Sequence, residues 1–424
     1  MKNWCRVVIA LFFALPCVAQ MQVQDSFFGT EVNKLGTPVI TVPVKSMRLW
    51  DTHTNWFQVC PTSNYSNCDW DRLDKWLALA KKSGISDVLY TIGKTPQWAS
   101  SKPDAKWCVE CYPPRDLTED GGGTDEAFKG FIHAIVDHNR RLDRSRYATI
   151  RYWGMWNEAD ARNFWQGNPT QLVRMTKDAR AIIKEADPDA LILTPEVANN
   201  SRMRKAGDWL DEYLSAGGGQ YVDVIAFHVG PVSLVPGKRP ITEDIVDLVN
   251  DIKTKVGKHA EVRGKPLWNT EAEFTELGGP ENYRNLDEAA SYVVRFYTLL
   301  FSLGVERIYW YQYDGDPKTC CGGMWTPETG ELPTAKAYRE MHKWLVGRTV
   351  SNCKPQAHVW SCDLTAPGYK ARIVWYDDFE SNGTYDSAGF TAAHDAYGAA
   401  VPLDKSGKLT VSHRPILLEA AGGR

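Results

Sequence analysis

Apolar positions along the chain follow two alternating patterns. Short, nearly continuous apolar runs occupy residues 27–32, 46–51, 87–92, 149–157, 190–195, 222–228, 266–271 and 306–312. Runs of this length, bounded by Gly, Pro, Asn and Asp, predict buried strands. Between them the apolar residues recur at i, i+3/i+4 and i+7. One such stripe is Trp70, Leu73, Trp76, Leu77 and Ala80, and another is Phe128, Phe131, Ile132, Ile135 and Val136. The pattern returns at Leu172–Ile183, Ile245–Val256, Tyr292–Leu300 and Ala337–Leu345. Each predicts a helix with one buried face. Eight strands alternating with helices are the count of a parallel (β/α)8, or TIM, barrel, an α/β fold, over residues 20–346. An open doubly wound sheet has similar alternation and is the competing reading. The segment 33–45 carries Gly36, Pro38 and Pro43, so the first helix is absent or replaced by a loop. Beyond Leu345 the helical period stops. Short runs at 359–360, 371–375, 409–411 and 416–418 predict a small all-β, sandwich-like domain over 347–424.

The first residues read as a targeting segment. Lys2 and Arg6 precede an apolar run from Val7 to Leu15, followed by Pro16, Cys17, Val18 and Ala19. This is the order of a secretory signal, with cleavage expected after Ala19, and the run is too short for a membrane anchor. A lipoprotein processed at Cys17 is the weaker alternative, because Leu15 and Pro16 stand where small residues are wanted. The expected location is secreted or periplasmic. Eight later cysteines fall in four close pairs, Cys60/Cys68, Cys108/Cys111, Cys320/Cys321 and Cys353/Cys362, and short-range disulfides are expected. A zinc site built on Cys108 and Cys111 lacks a nearby histidine at ligand spacing. A redox motif there lacks the strand-to-helix context.

Composition narrows the function. With 49 Lys+Arg against 52 Asp+Glu there is no basic excess for nucleic acid. The chain has 17 Trp and 18 Tyr, more flat rings than a core requires, which points to a cleft that stacks on sugars. Of Trp50, Trp56, Trp98, Trp165 and Trp325, which lie just after predicted strands or in the following loops, about half are expected to face such a cleft. Gly121-Gly122-Gly123 has no preceding strand and no following Lys-Ser/Thr, so it is a hinge and not a phosphate loop.

In a barrel of this kind chemistry sits where strands end. Strand four ends Trp153-Gly154-Met155-Trp156-Asn157-Glu158, and strand seven ends Leu267-Trp268-Asn269-Thr270-Glu271. Two carboxylates facing each other across a barrel mouth, about 5 Å apart, suit a retaining glycosidase. Either acid alone is more often a solvated loop residue; the pairing at strands four and seven gives them weight. Glu273 competes with Glu271, which is favoured because it closes the apolar run. Glu196 and Asp160 read as loop or hydrogen-bonding acids.

These residues carry a resemblance. Trp156-Asn157-Glu158 resembles the Asn-Glu pair at the end of strand four in glycoside hydrolase clan A, and Lys265 to Glu271 is similar to that clan's strand-seven nucleophile motif. Phe28-Gly29, Arg48-Leu49-Trp50-Asp51, the strand-four motif and the trailing β domain resemble family 39, which includes β-xylosidases and α-L-iduronidases. The resemblance implies that Glu158 is the acid/base and Glu271 the nucleophile. It implies that Asn157 bonds the sugar 2-hydroxyl, that Arg48 keeps Glu271 ionised, and that His228 contacts nucleophile or substrate. Trp310 and Tyr311 are expected as the platform under the reacting sugar. A structural ion pair for Arg48 and a core role for His228 are the alternatives.

The chain departs from family 39 after Phe28-Gly29, where histidines are common and Thr30, Glu31, Val32 and Asn33 stand instead. Glu31 is expected to line the non-reducing-sugar subsite, and a third acid there disfavours an anionic sugar unless an arginine offsets it. The function expected is double-displacement hydrolysis of a neutral plant-type oligo- or polysaccharide, with no cofactor, no metal, and neither nucleic acid nor membrane as partner. A non-hydrolytic carbohydrate-binding barrel and a transglycosylase are the alternatives.

Overall fold

The structure is a computed structural model that describes residues 21–198, 206–230, 241–273, 285–316 and 322–422. The leader expected at 1–19 and the Cys320/Cys321 pair lie outside these residues. Eight strands form one parallel sheet: β1 (Phe28–Glu31), β2 (Ser46–Leu49), β3 (Asp87–Ile92), β4 (Thr149–Met155), β5 (Leu191–Ile192), β6 (Ile225–His228), β7 (Leu267–Ala272) and β8 (Val305–Trp310). The order is β5-β4-β3-β2-β1-β8-β7-β6. A parallel bridge between Leu193 and Val224 joins the two outer strands, supported by Thr194 N–H donating to Val224 O at 3.0 Å. The sheet therefore closes into a barrel, and the open-sheet reading falls.

Around it lie α1 (Trp56–Val59), α2 (Asp71–Lys82), α3 (Glu126–Arg141), α4 (Pro169–Ala186), α5 (Ala206–Ser215), α6 (Ile245–Val256), α7 (Leu286–Ser302) and α8 (Pro333–Leu345). No helix follows β1, as the Gly and Pro content of 33–45 predicts. The loop is pinned instead by buried Asp314, which accepts from the Asn33 and Lys34 amides and the Thr37 hydroxyl. Helix α5 is not anticipated by the sequence reading, although Trp209, Leu210, Tyr213 and Leu214 make its buried stripe. The barrel interior holds Leu89, Leu193, Val224, Ala226, Trp268 and Tyr309. Arg307 enters it flat between aromatic rings, 4.2 Å from the Trp268 centroid and 4.5 Å from that of Tyr152.

A small hairpin, β9 (Trp325–Thr326) with β10 (Gly330–Glu331), precedes α8. The chain then turns to antiparallel strands β11 (Thr349–Gln356), β12 (Val359–Ala366), β13 (Tyr369–Tyr376), β14 (Gly383–Asp386), β15 (Phe390–Asp395), β16 (Lys408–Val411) and β17 (Ile416–Ala420). Five pair in the order β11-β12-β13-β17-β15, and β14 pairs with β16. Alternation sorts their faces. Ile373, Trp375 and Leu417 join the core that includes the barrel helices, while Val374, Ile416 and Leu418 pack with Leu409 and Val411 of β16. Strands β11, β14 and β15 are not among those expected, because their polar, exposed positions hide the apolar signal. Three of the four cysteine pairs are disulfide-bonded: Cys60–Cys68, Cys108–Cys111 and Cys353–Cys362.

One polar node joins the antiparallel sheet to the helices. Buried Arg295 of α7 pairs with Glu243 through Nε at 2.9 Å and through Nη2, and Trp375 Nε1 donates to Glu243 Oε1 at 2.7 Å. Glu243→Ala leaves the guanidinium buried without its partner. Urea unfolding is expected to show a loss of about 3–5 kcal/mol, whereas Trp375→Phe, which removes one neutral donor, costs about 1 kcal/mol in hydrogen bonding.

Candidate active site

Strand β2 has four residues, all buried, with Ser46 and Arg48 pointing into the barrel. Ser46 Oγ lies 2.8 Å from Tyr309 OH on the barrel floor, and Arg48, two residues on, reaches the mouth. A guanidinium has five N–H donors, and all five of Arg48's are engaged. Nε donates to Thr91 Oγ1 at 3.1 Å; Nη1 donates to Glu31 Oε1 at 2.5 Å and to Glu271 Oε2 at 2.8 Å. Nη2 donates to Asn157 Oδ1 at 2.5 Å and to Glu196 Oε2. The side chain is fully buried, and the carboxyl groups of Glu31, Glu196 and Glu271 around it offset a desolvation cost that a lone charge could not sustain.

At the end of β4 the backbone leaves the strand path. Trp156 has φ of 98° and Glu158 φ of 41°, both in the region that side chains disfavour. Each such residue costs on the order of 1–3 kcal/mol, held here by tertiary contacts. Glu196 N–H donates to Trp156 O at 2.8 Å and Ala159 N–H to Glu196 O at 3.0 Å, which stitches the kink to the segment after β5. The Trp156 ring is buried against Trp165, with Nε1 donating to Phe164 O. This kink turns Asn157 and Glu158 toward the same mouth. Gly154 makes room for it: a Cβ there would lie 2.5 Å from Glu196 Oε1 and 3.1 Å from Thr91 Oγ1.

Strand β7 uses a register slip for the same end. Asn269 pairs with Ile308 but Ala272 with Trp310, so three β7 residues oppose two of β8. Trp268 and Glu271 therefore both face inward although three residues apart. Between Glu158 and Glu271 sits His228, ending β6. Its Nδ1 lies 3.2 Å from Glu158 Oε1 and 3.7 Å from Glu271 Oε2, and its Nε2 lies 3.4 Å from Glu196 Oε2. One donor atom from each of Glu158, His228 and Glu271 falls within 4.8 Å of the others. Three such groups could hold a cation, but Arg48 already supplies the compensating charge at 2.8 Å from Glu271. Burial opposes the imidazolium, yet the Glu271 charge and hydrogen bonds to Glu158 and Glu196 raise His228 to about 10. Burial lifts Glu271 above the usual carboxylate range, with His228 and Arg48 pulling it back and the Glu158 and Asp51 charges adding to the lift.

Two expected contacts are corrected. Trp310 is fully buried, packed on Tyr292, Phe296 and Tyr297 of α7, with Nε1 donating to Gly322 O. Period two explains it: Arg307 and Tyr309 point into the barrel, so Trp310 points outward and offers no sugar platform. Tyr311, the next residue, does reach the mouth. Its hydroxyl donates to Asp51 Oδ2 at 2.7 Å and receives Asn33 Nδ2 at 3.3 Å. Glu31 has no exposed surface either, so it does not line an open subsite; it meets Arg48 from the side.

The mouth also collects acids outside the expected set. Glu196 is buried and bonded by Arg48 and Thr91, and Asp160 Oδ1 accepts from the Ala198 amide. Burial, reinforced by the Glu271 and Glu158 charges, raises Glu273 to about 8. Asp51 lies beside Tyr311, and its signal was its place at the end of the second predicted strand. Glu196 had the same signal after strand five. Of the five flagged tryptophans, Trp50, Trp56 and Trp165 are buried; Trp56 stacks on Phe131.

No family model matches the chain, and no curated protein sequence does. Solved structures do. A family 39 glycoside hydrolase from Bacteroides cellulosilyticus WH2 superposes with a TM-score of 0.68 at 17% identity, covering 94% of this chain and 82% of that one. The fold is shared with glycoside hydrolases. A glucosidase from Croceicoccus marinus gives 0.62 at 15% identity, covering 94% and 96% of the two chains. A family 39 β-xylosidase from Caulobacter crescentus gives 0.59 at 15% identity, covering 95% and 97%. Structures from families 30 and 51 superpose as well.

The His228 environment sets a pH window. Its folded value of about 10 exceeds the ordinary 6.5, so its contribution is fully present below about pH 6.5 and is lost as pH rises through about 10. Unfolding free energies measured across that range are expected to decline less in His228→Asn than in the parent chain.

Proposed function

We propose that this protein is a retaining glycoside hydrolase acting on neutral sugars. The observation that carries the reading is the convergence of Glu158 and Glu271, whose nearest oxygens lie within 4.8 Å across His228. Retaining enzymes hold their carboxyl groups about 5–5.5 Å apart, and inverting ones about 6.5–9.5 Å to admit a water. Glu158 donates its proton to the leaving oxygen while Glu271 attacks the anomeric carbon, giving a covalent glycosyl-enzyme. Water then attacks that carbon, Glu158 takes its proton, and Glu271 leaves.

The surrounding residues fit these roles. Arg48 holds Glu271 Oε2 and leaves Oε1 to attack. Because a guanidinium only donates, Asn157 must turn Oδ1 to Arg48, which leaves Nδ2 to donate to a sugar 2-hydroxyl. The imidazolium of His228, 3.7 Å from Glu271 Oε2, opposes protonation of the nucleophile at neutral pH. Tyr311 and Asp51 offer polar contacts beside them. Fold likeness to a family 39 β-xylosidase and a glucosidase supports a sugar substrate. The Asp51 charge that acts on Glu271 also repels an anionic sugar, while Arg48 and His228 are already committed. Three disulfides and the apolar leader favour an exported protein, and one structural neighbour is a conserved exported protein from Bacteroides fragilis. Among the described residues no helix is long and apolar enough to cross a membrane.

A panel of aryl xylosides, arabinosides, glucosides, galactosides and glucuronides tests the reading. A neutral glycoside is expected to turn over with retention of anomeric configuration by NMR, and the glucuronide least. Glu158→Ala is expected to lower turnover of a poor leaving group by about 10²–10⁴-fold. Glu271→Ala falls to background. Azide should restore Glu158→Ala with a retained glycosyl azide and Glu271→Ala with the inverted one. Rescue of neither, or an inverted product from the parent chain, overturns the assignment. Glycosyl transfer to added sugar in place of water identifies a transglycosylase.

A further inference from the structure

Two buried glutamates, Glu31 and Glu196, bond the same guanidinium, yet their surroundings differ. Glu196 Oε2 accepts from Arg48 Nη2, its Oε1 accepts from Thr91 Oγ1 at 3.0 Å, and His228 Nε2 stands 3.4 Å away. Glu31 has Arg48 Nη1 on Oε1 and, among the described residues, no hydrogen-bond partner on Oε2, which is buried. Arg48 Nη1 is also shared, since it reaches Glu271 Oε2 at 2.8 Å. An ionised Glu31 would therefore face Glu271 across one N–H₂ group, with a bare anionic oxygen in a site without exposure.

Charge counting points the same way. The cations are Arg48 and His228; the carboxylates in contact with them are Glu31, Glu158, Glu196 and Glu271. Asp51, Glu273 and Tyr311 complete the titratable ring. The carboxyl groups outnumber the cations, so ionising Glu31 as well would add uncompensated charge to a buried site. We propose that Glu31 holds a proton and is a positioning residue for the nucleophile: a buried neutral acid that fixes Arg48 Nη1 by a hydrogen bond without competing for its charge. The inference rests on the glycosidase reading for its catalytic consequence, but not for the protonation state itself. Burial, larger than the opposing pull of Arg48, sets Glu31 well above the usual carboxylate range, whereas the Arg48 charge together with the His228 ring holds Glu196 below it despite equal burial. Were Glu31 ionised, Arg48 would divide its charge three ways, and Glu271 would bind a proton more readily and lose nucleophilicity.

Glu31→Gln is the decisive variant, because it keeps shape and fixes neutrality. It is expected to fold, to keep kcat/KM within about threefold of the parent, and to leave the acidic limb of the pH–kcat/KM profile unmoved. Glu31→Ala, which frees Nη1, is expected to lower kcat by up to about 100-fold with KM within about twofold. A parent-minus-Glu31→Gln infrared difference spectrum at neutral pH should contain the carbonyl stretch of a protonated carboxylic acid. A carboxylate band in its place overturns the proposal, as does a shift of the acidic limb by a unit or more. Failure of Glu31→Gln to fold also overturns it, since that would show a required anion. The infrared reading needs no substrate, so it can stand or fall while the glycosidase assignment is judged separately by Glu158→Ala and Glu271→Ala.

Discussion

The site is organised by one constraint: a guanidinium taken fully out of water must have every N–H satisfied. Arg48 meets it with acceptors on or just after β1, β3, β4, β5 and β7, so a single side chain fixes the relative positions of five strand ends. Removing any acceptor leaves a buried donor, and removing the cation leaves acids without a counter-charge. The geometry of Asn157 and Glu271 is thus a consequence of satisfying Arg48. These groups have little freedom to reorient, so the site is preorganised.

The surrounding backbone departs from regularity where the acids are delivered. Trp156 and Glu158 take unfavourable φ values, and β7 slips by one residue before Glu271. Both departures lie at strand ends facing the mouth, and both break the period-two alternation that would send one of each neighbouring pair away. Where alternation is kept, on β8, Trp310 goes outward and only Tyr311 reaches the cleft.

The aromatic surplus divides accordingly. Trp56 stacks on Phe131 and meets Trp98 edge-on, and Trp156 packs on Trp165, so several rings brace the loops behind the mouth. On the opposite flank Trp360 stacks on Trp375, whose indole N–H reaches the Glu243–Arg295 pair beneath the antiparallel sheet. A bulky ring count by itself does not separate bracing from binding, since both uses want large flat apolar surfaces with one polar edge.

From the sequence, the eight alternating strands, six of the helices, the missing first helix, the trailing strands and the two carboxylate-bearing strand ends were legible. Each depends on local period or on a motif contained within a few residues. The helix α5 and the polar strands β11, β14 and β15 were not, because their stability comes from neighbours rather than from their own pattern. Glu196 and Glu31 show the same division at the site. Their acidity and strand-end placement are written in the chain. That Glu196 gathers two donors and the nearby His228 ring while Glu31 receives one depends on which side chains meet at the barrel mouth, and only barrel closure brings residues 17 to 223 positions apart onto one guanidinium.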